Sequence, residues 1–333
     1  MKDNEQEILE KYDIEAKNIK KVRDGILCES REGLFLIKEL RFSEKRLGFL
    51  EELGKQLRQK GCDYIDWIVQ SKEGELFCVA EDGTKYFVKK WFAGKECDIH
   101  RERDILSAVT NLAKIHKALR SFDAGSEQGY ELAGAEDLRQ EYFRHNREMK
   151  KVRSFMRNKV DKGEFELTYL KHFDSMYAAA EATLEQLKAS DYEEIRRRSV
   201  ADCTVVHGDY NYHNIIMSYA GVATTNFEHA QRNVQVADLY YFLRKTMEKN
   251  QWDVVLGDKI LNCYQKELPF HKGELECLAI CIAYPEKFWK VANSYHRSRK
   301  VWLPAKNSEK LEMVIKQTEE KEKFLKNIFA FQL

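Results

Sequence analysis

Proline is scarce: three residues in a chain of 333, two of them at 285 and 304. No proline-rich linker, internal repeat, low-complexity tract or coiled-coil heptad run divides the sequence, which argues against a solenoid or a string of small modules. The eight cysteines, at 28, 62, 78, 97, 203, 263, 277 and 281, never fall in paired C-x-x-C spacing, so neither a disulfide framework nor a structural zinc site is indicated. Cys277 and Cys281, one helical turn apart in ECLAICIAYPEKFW, read as reduced core thiols. No segment approaches the ~20 apolar residues needed to cross a bilayer, and the acidic opening MKDNEQEILEKYDIEAKN lacks an apolar signal core. Neither sign of charge dominates: 56 Lys and Arg against 55 Asp and Glu leave a net of +1. No nucleic-acid or membrane partner is therefore expected, and synthesis in the cytoplasm is.

What remains is a chain with 43% apolar and 33% charged residues, long enough for a large core and for two domains or lobes. Residues 19–40, IKKVRDGILCESREGLFLIKEL, hold short apolar or alternating runs parted by DG and REG, which predicts three antiparallel strands. Ser43 then caps a helix whose Leu47, Leu50, Leu53 and Leu57 recur at helical spacing and which Gly61 ends. Two further strands, GELFCVA and KYFVKKWF, flank the turn signal EDG. The expectation is an α+β fold: a lobe over residues 1–92 with a five-stranded sheet and one helix, a hinge at 93–98, and a mostly helical lobe over 99–333. That second lobe is interrupted by a β-rich stretch at 204–228.

The stretch VVHGDYNYHNIIMSYAGVATTNFE carries the chemistry. His207, Asp209 and Asn214 satisfy His-x-Asp-x-x-x-x-Asn, between the apolar strand TVV and the strand NIIMSY, with a glycine turn and the strand VATTNFE to follow. That layout is the one a kinase-type catalytic loop requires. Phosphoryl transfer needs a carboxylate to take the acceptor's proton, here Asp209, and oxygen ligands for Mg²⁺, here Asn214 and a residue at the end of the third strand. That residue is Asn226, which keeps one carbonyl oxygen and lacks the charge that attracts a hard cation. Glu228 reaches the same face if the backbone stays extended; otherwise it is a strand-end charge. His207 is expected to pack beneath the loop and hold Asp209. Lys38, between LFLI and EL, is the candidate for the nucleotide's phosphates, with Glu51 or Glu52 as its carboxylate partner. Asp238 opens an apolar helix face and reads as a helix-capping carboxylate, which in a kinase-like lobe would also brace the loop's backbone. No G-x-G-x-x-G loop joins the first strands, so any phosphate lid is glycine-poor.

Together LIKEL, KRLGFLEELGKQLRQKG, WFAGKECD, LAKIHKA, VVHGDYNYHNII, VADLYYFLRK and AYPEKFWKVANSYHRSRKVWLP resemble the CotS family of bacterial spore coat proteins, within the aminoglycoside phosphotransferase and choline kinase superfamily. The resemblance runs from about residue 19 to the C-terminus. It implies a bilobal protein-kinase-like fold, ATP and Mg²⁺ as cofactors, Trp91 and Phe92 beside the nucleotide, a small-molecule acceptor or coat-protein partners, and a place in the spore coat. Relatives that keep the chemistry carry Asp-Phe-Asp or Asp-Phe-Glu where this chain has Asn226-Phe227-Glu228, and Lys89 and Lys90 replace a more acidic version of the hinge approach. The departure points to a coat protein with weak or no phosphotransfer; the alternative is a working ATP- and Mg²⁺-dependent small-molecule phosphotransferase. In FWKVANSYHRSRK, Phe288, Trp289 and Tyr295 read as a core stripe, with His296, Arg297, Arg299 and Lys300 either solvated or forming a basic wall.

Overall fold

The computed structural model describes residues 2–123, 134–298 and 305–332. It divides into two compact units, Met1–Gly134 with Ser199–Phe242, and Ala135–Arg198 with Leu243–Leu333.

The first unit opens with helix α1 (Lys2–Lys11), strands β1 (Ala16–Val22), β2 (Gly25–Ser30) and β3 (Gly33–Glu39), helix α2 (Glu44–Gln59), and strands β4 (Ile68–Val69), β5 (Cys78–Val79) and β6 (Lys85–Trp91). The strands join in one antiparallel sheet of order β1-β2-β3-β6-β4, with β5 also on β6. The sheet therefore has six strands where the sequence predicts five. The added strand, β4, is two residues long, too short for alternation to register. Helix α1 was not foreseen either, because Ile8 and Leu9 alone make no periodic stripe. With Tyr12 and Ile14 they bury against Cys28, Phe35, Ile37, Cys78 and Val88, closing one face of the sheet.

Strand alternation sends the neighbouring residues to the opposite face. Leu36 lies across from Lys89 and Lys38 across from Phe87, so Lys38, Lys89 and Trp91 share that face. Helix α2 covers part of it with Leu50, Leu53 and Leu57, which together with Asp66, Lys89 and Phe227 line a small cavity. The predicted cap is present: the Ser43 hydroxyl accepts the Arg46 amide at 3.1 Å.

Strand β7 (Lys95–Glu96) follows, inside the stretch expected to be a hinge, and then helix α3 (Glu102–Ala118). After helices α4 (Leu138–Asn158), α5 (Glu164–Ala189) and α6 (Tyr192–Ala201), the chain returns through β8 (Val205–Val206), β9 (Ile215–Met217), β10 (Val222–Thr224) and β11 (Gln231–Arg232) to α7 (Val236–Lys249). Strands β10, β9 and β7 form a three-stranded sheet, and β8 pairs with β11. These short ladders hold the predicted catalytic loop between them.

The second unit, helical among its described residues, comprises α4, α5, most of α6, the second half of α7, α8 (Val254–Glu267), α9 (Glu274–Ala283), α10 (Glu286–Arg297), α11 (Ala305–Lys316) and α12 (Thr318–Phe329). Phe288 is buried and stacks on Tyr169 at 4.7 Å between centroids, and Trp289 stacks on His145 at 3.4 Å. Tyr295 is half-buried, its hydroxyl bound by Lys159 and donated to Glu166. Of the basic run, His296 lies edge-on to Phe155 and Arg297 pairs with Glu148 at 3.0 Å, while Arg299 and Lys300 lie outside the described residues. All eight cysteines are free thiols, Cys277 and Cys281 among the buried ones. No described helix is long and apolar enough to cross a membrane.

Candidate functional site

The catalytic-loop motif is held from below. Gly208 adopts φ +80°, and a Cβ there would lie 2.1 Å from the His229 carbonyl oxygen, so only glycine passes this point. The His207 ring is fully buried; its Nε2–H donates to the Thr225 carbonyl at 3.0 Å, and Nδ1 accepts the Asp209 amide at 3.2 Å. Those two partners fix the neutral tautomer, and burial lowers the ring's pKa. Asp238, in the first turn of α7, accepts the His207 amide at 2.6 Å, the Gly208 amide at 2.9 Å and His116 Nε2 at 3.1 Å. Burial works against its charge, but these donors prevail and hold its pKa below the ordinary value. Its oxygens brace the loop, from a position inside the first turn of α7 rather than at its cap.

From Asp209 a line of hydrogen bonds runs to Lys38. Asn214 Nδ2 donates to Asp209 Oδ2 at 2.9 Å; Asn226 Nδ2 donates to Asn214 Oδ1 at 2.9 Å; Lys38 Nζ donates to Asn226 Oδ1 at 3.1 Å. An ammonium at one end and a carboxylate at the other leave each amide only one orientation, oxygen toward Lys38 and nitrogen toward Asp209. Asn211 Nδ2 takes the remaining carboxylate oxygen, Asp209 Oδ1, at 2.9 Å.

Glu228 also joins Lys38, by a different backbone path from the extended one the sequence suggests. Asn226 turns into the left-handed region, φ 65° and ψ 57°, and Phe227–His229 form a 3₁₀ turn. Asparagine tolerates this conformation better than most residues. The turn delivers Glu228 Oε1 to Lys38 Nζ at 2.7 Å, a part-buried ion pair. The partner of Lys38 is thus Glu228 and neither Glu51 nor Glu52, which pair along α2 with Lys55 and Gln56. Helix α2 instead contributes Arg46, which donates to the Glu228 carbonyl at 3.0 Å and to the Ala230 carbonyl.

Two residues absent from the sequence reading of the site complete it. Lys89, 3% exposed, donates to Glu228 Oε1 at 3.0 Å and pairs with Asp66; Asp66 also accepts the Asn226 amide at 2.7 Å. Burial opposes every charge in this group. Against it, Lys89 and Lys38 drive the Glu228 pKa far down, and Asp66 and Glu228 raise that of Lys89. For Asp66 burial wins and its pKa is raised. The signal was the pair Lys89-Lys90 in an apolar strand: alternation must turn one of them inward. Trp91 ends β6 opposite Leu34 on the same face as Lys38, whereas Phe92 leans on Tyr64 at 6.2 Å.

The donor set does not fit Mg²⁺. That ion wants near-octahedral oxygen ligands, with carboxylates among them. Here both Asp209 oxygens, Asn214 Oδ1, Asn226 Oδ1 and Glu228 Oε1 each already accept from a side-chain amide or an ammonium. Glu228 Oε2 is the one oxygen of these that is buried without a partner. No cluster of three or more His, Cys, Asp or Glu able to hold a metal occurs among the described residues.

Comparison with known proteins places the chain in a family. The sequence model of the family described as "Spore coat putative kinase YutH" matches residues 5–328. The chain belongs to that family. Spore coat protein S of Bacillus subtilis (strain 168) is 23% identical over 306 residues, covering 89% of this chain and 84% of the relative, in keeping with the CotS-type resemblance. A crystal structure of an aminoglycoside phosphotransferase from Alicyclobacillus acidocaldarius superposes with a TM-score of 0.87 at 17% identity, over 98% of this chain and 95% of that one. An amicoumacin kinase in complex with AMP-PNP, Ca²⁺ and Ami gives a TM-score of 0.60 at 11% identity, over 95% of this chain and 91% of that one. This member of the YutH family thus has the aminoglycoside phosphotransferase-like α+β fold.

Proposed function

We propose that this YutH-family chain is a spore coat component built on a phosphotransferase scaffold, with its metal-dependent chemistry lost or nearly so. The observation that carries the reading is the Asn226–Asn214 hydrogen bond. In a working site two ligand oxygens facing each other need a cation between them. Here an amide hydrogen lies between the corresponding atoms, so the oxygens are reconciled without metal. His207, Asp209 and Asp238 maintain the loop's shape, which keeps the fold intact while the metal's contribution to transfer is absent. The coat location rests on family membership and on the likeness to spore coat protein S.

The test is calorimetry of ATP and ADP with and without Mg²⁺, followed by a turnover screen against aminoglycosides, choline-like alcohols and sugars. Weak nucleotide binding that is indifferent to Mg²⁺, with no turnover, is expected, and the protein should fractionate with purified spore coats of its source organism. A second reading, a live phosphotransferase with Asp209 as base, Lys38 on the phosphates and Asn214 and Glu228 on the metal, draws on the unpartnered Glu228 Oε2. Strong Mg²⁺-dependent binding and turnover that Glu228→Ala abolishes would establish it instead.

A further inference from the structure

We propose that Lys89 is a resident cation that excludes the metal: its ammonium holds Glu228 Oε1 from inside the fold and sets a buried positive charge beside the free Oε2, so that a carboxylate at position 226 alone does not rebuild a metal site. This deepens the reading above and rests on it. Lys89 and Lys38 bind the same oxygen, Glu228 Oε1, at 3.0 and 2.7 Å. A divalent ion on Glu228 would stand beside two ammonium groups, one of them 3% exposed and poorly screened by water. Lys38 is the looser of the two, its side chain 17% exposed against 4% for Lys89. It can swing to another anion. Lys89 cannot leave, because Asp66, whose side chain is fully buried, pairs with it and also accepts the Asn226 amide.

Asp66, Lys89 and Glu228 thus form a buried triad in which one lysine balances part of two carboxylates. The triad ties the would-be metal turn, residues 226–228, to the interior strand β6. It supplies a positive charge to Glu228 from within the protein. Two residues therefore keep a metal from this site: the neutral Asn226 and the cation Lys89.

Mn²⁺ titration by calorimetry, without nucleotide, tests the idea on the full chain, with thermal melts to establish that each variant is folded. Because Lys89 removal alone would strand Asp66, the pair is replaced together as Lys89→Leu with Asp66→Asn. The expected order is no measurable binding by the native protein or by that pair variant, weak binding by Asn226→Asp, and binding at least about tenfold tighter when all three changes are combined. Asn226→Asp with Lys89→Arg, which keeps the charge, should stay weak. If Asn226→Asp alone, or with Lys89→Arg, binds as tightly as the triple variant, Lys89 excludes nothing and this inference falls while the metal-free reading stands. Tight binding by the native protein would overturn that reading itself. If the pair replacement does not fold, the Lys89→Arg comparison and Lys89→Gln in the Asn226→Asp background decide the same question.

Discussion

At residue 226 one atom separates two kinds of site. Asn226 Nδ2 donates to Asn214 Oδ1, and an aspartate would place a second acceptor against the first. Two oxygens at hydrogen-bond distance without a proton or cation between them repel, and Lys38, already shared with Glu228, neutralises only part of the added charge. Asn226→Asp is therefore expected to destabilise the chain by about 1–3 kcal/mol in chelator, and added Mn²⁺ should recover part of that loss by mass action. Urea denaturation with EDTA and with millimolar Mn²⁺ measures both. A variant as stable as the native protein in EDTA would mean that the amide hydrogen bond contributes nothing and that the proposed reading lacks its main support.

At the scale of the element, the position of Glu228 depends on a helix that binds its backbone carbonyl. Arg46 of α2 reaches the carbonyls of Glu228 and Ala230, so the helix pins the 3₁₀ turn from outside while Asp66 and Lys89 pin it from inside. Arg46→Met keeps an unbranched apolar stem and removes the donors together with the guanidinium that lies 4.6 Å from the Phe49 ring centroid. It should cost about 1–2 kcal/mol, and hydrogen exchange should quicken at 226–230 more than in the sheet. Uniform quickening across the sheet would show Arg46 to be ordinary packing. The same elements show what sequence can and cannot reveal. The leucine stripe of α2, the Ser43 cap, the β1–β3 meander and the strand-loop-strand layout around His207 were legible because each rests on local periodicity or local turn chemistry. Strand β4 is too short for a period, and α1 offers two apolar residues with most of their burial supplied by the sheet. The Lys38–Glu228 pair was missed because its members lie 190 residues apart and meet through a left-handed Asn226 that strand extrapolation does not allow for. Lys89 was visible as an anomaly in an apolar strand, but its partner Asp66 lies in a loop whose pattern carries no signal.

Across the whole molecule, each compact unit holds a buried histidine that burial keeps neutral, and this sets how the fold answers acid. His207 lies in the first unit, its pKa lowered by burial; His145 lies in the second, 2% exposed, stacked on Trp289, with Nδ1 lacking any partner and its pKa pushed down to about 4 by burial. The unfolded chain takes up a proton near the ordinary histidine value of about 6.5, whereas folded His145 takes it up only near pH 4. Between those limits the unfolded state binds more protons, so stability falls as pH falls, by as much as about 3 kcal/mol for this residue at the bottom of the window. Glu141, whose carboxylate lies 3.7 Å from His145 Nε2, works in the opposite sense: burial raises its pKa, so its protonation favours the folded state and offsets part of the loss near the acid end. Glu228 and Asp238, with pKa values held down by their donors, contribute stability that is fully present above the ordinary carboxylate range and is lost as pH falls through that range toward their own low values, so they add to acid unfolding only at the acid end. Urea titrations at intervals from pH 7.5 to 4 should therefore show a steady loss of stability beginning near pH 6.5, before carboxylate protonation dominates. His145→Phe, which retains a ring against Trp289 and removes the orphaned nitrogen, should reduce that slope by about one proton and raise stability at pH 5 more than at pH 7. An unchanged slope would mean that His145 is reached by water and titrates as an ordinary histidine, and the acid response would then belong to the His207 unit alone.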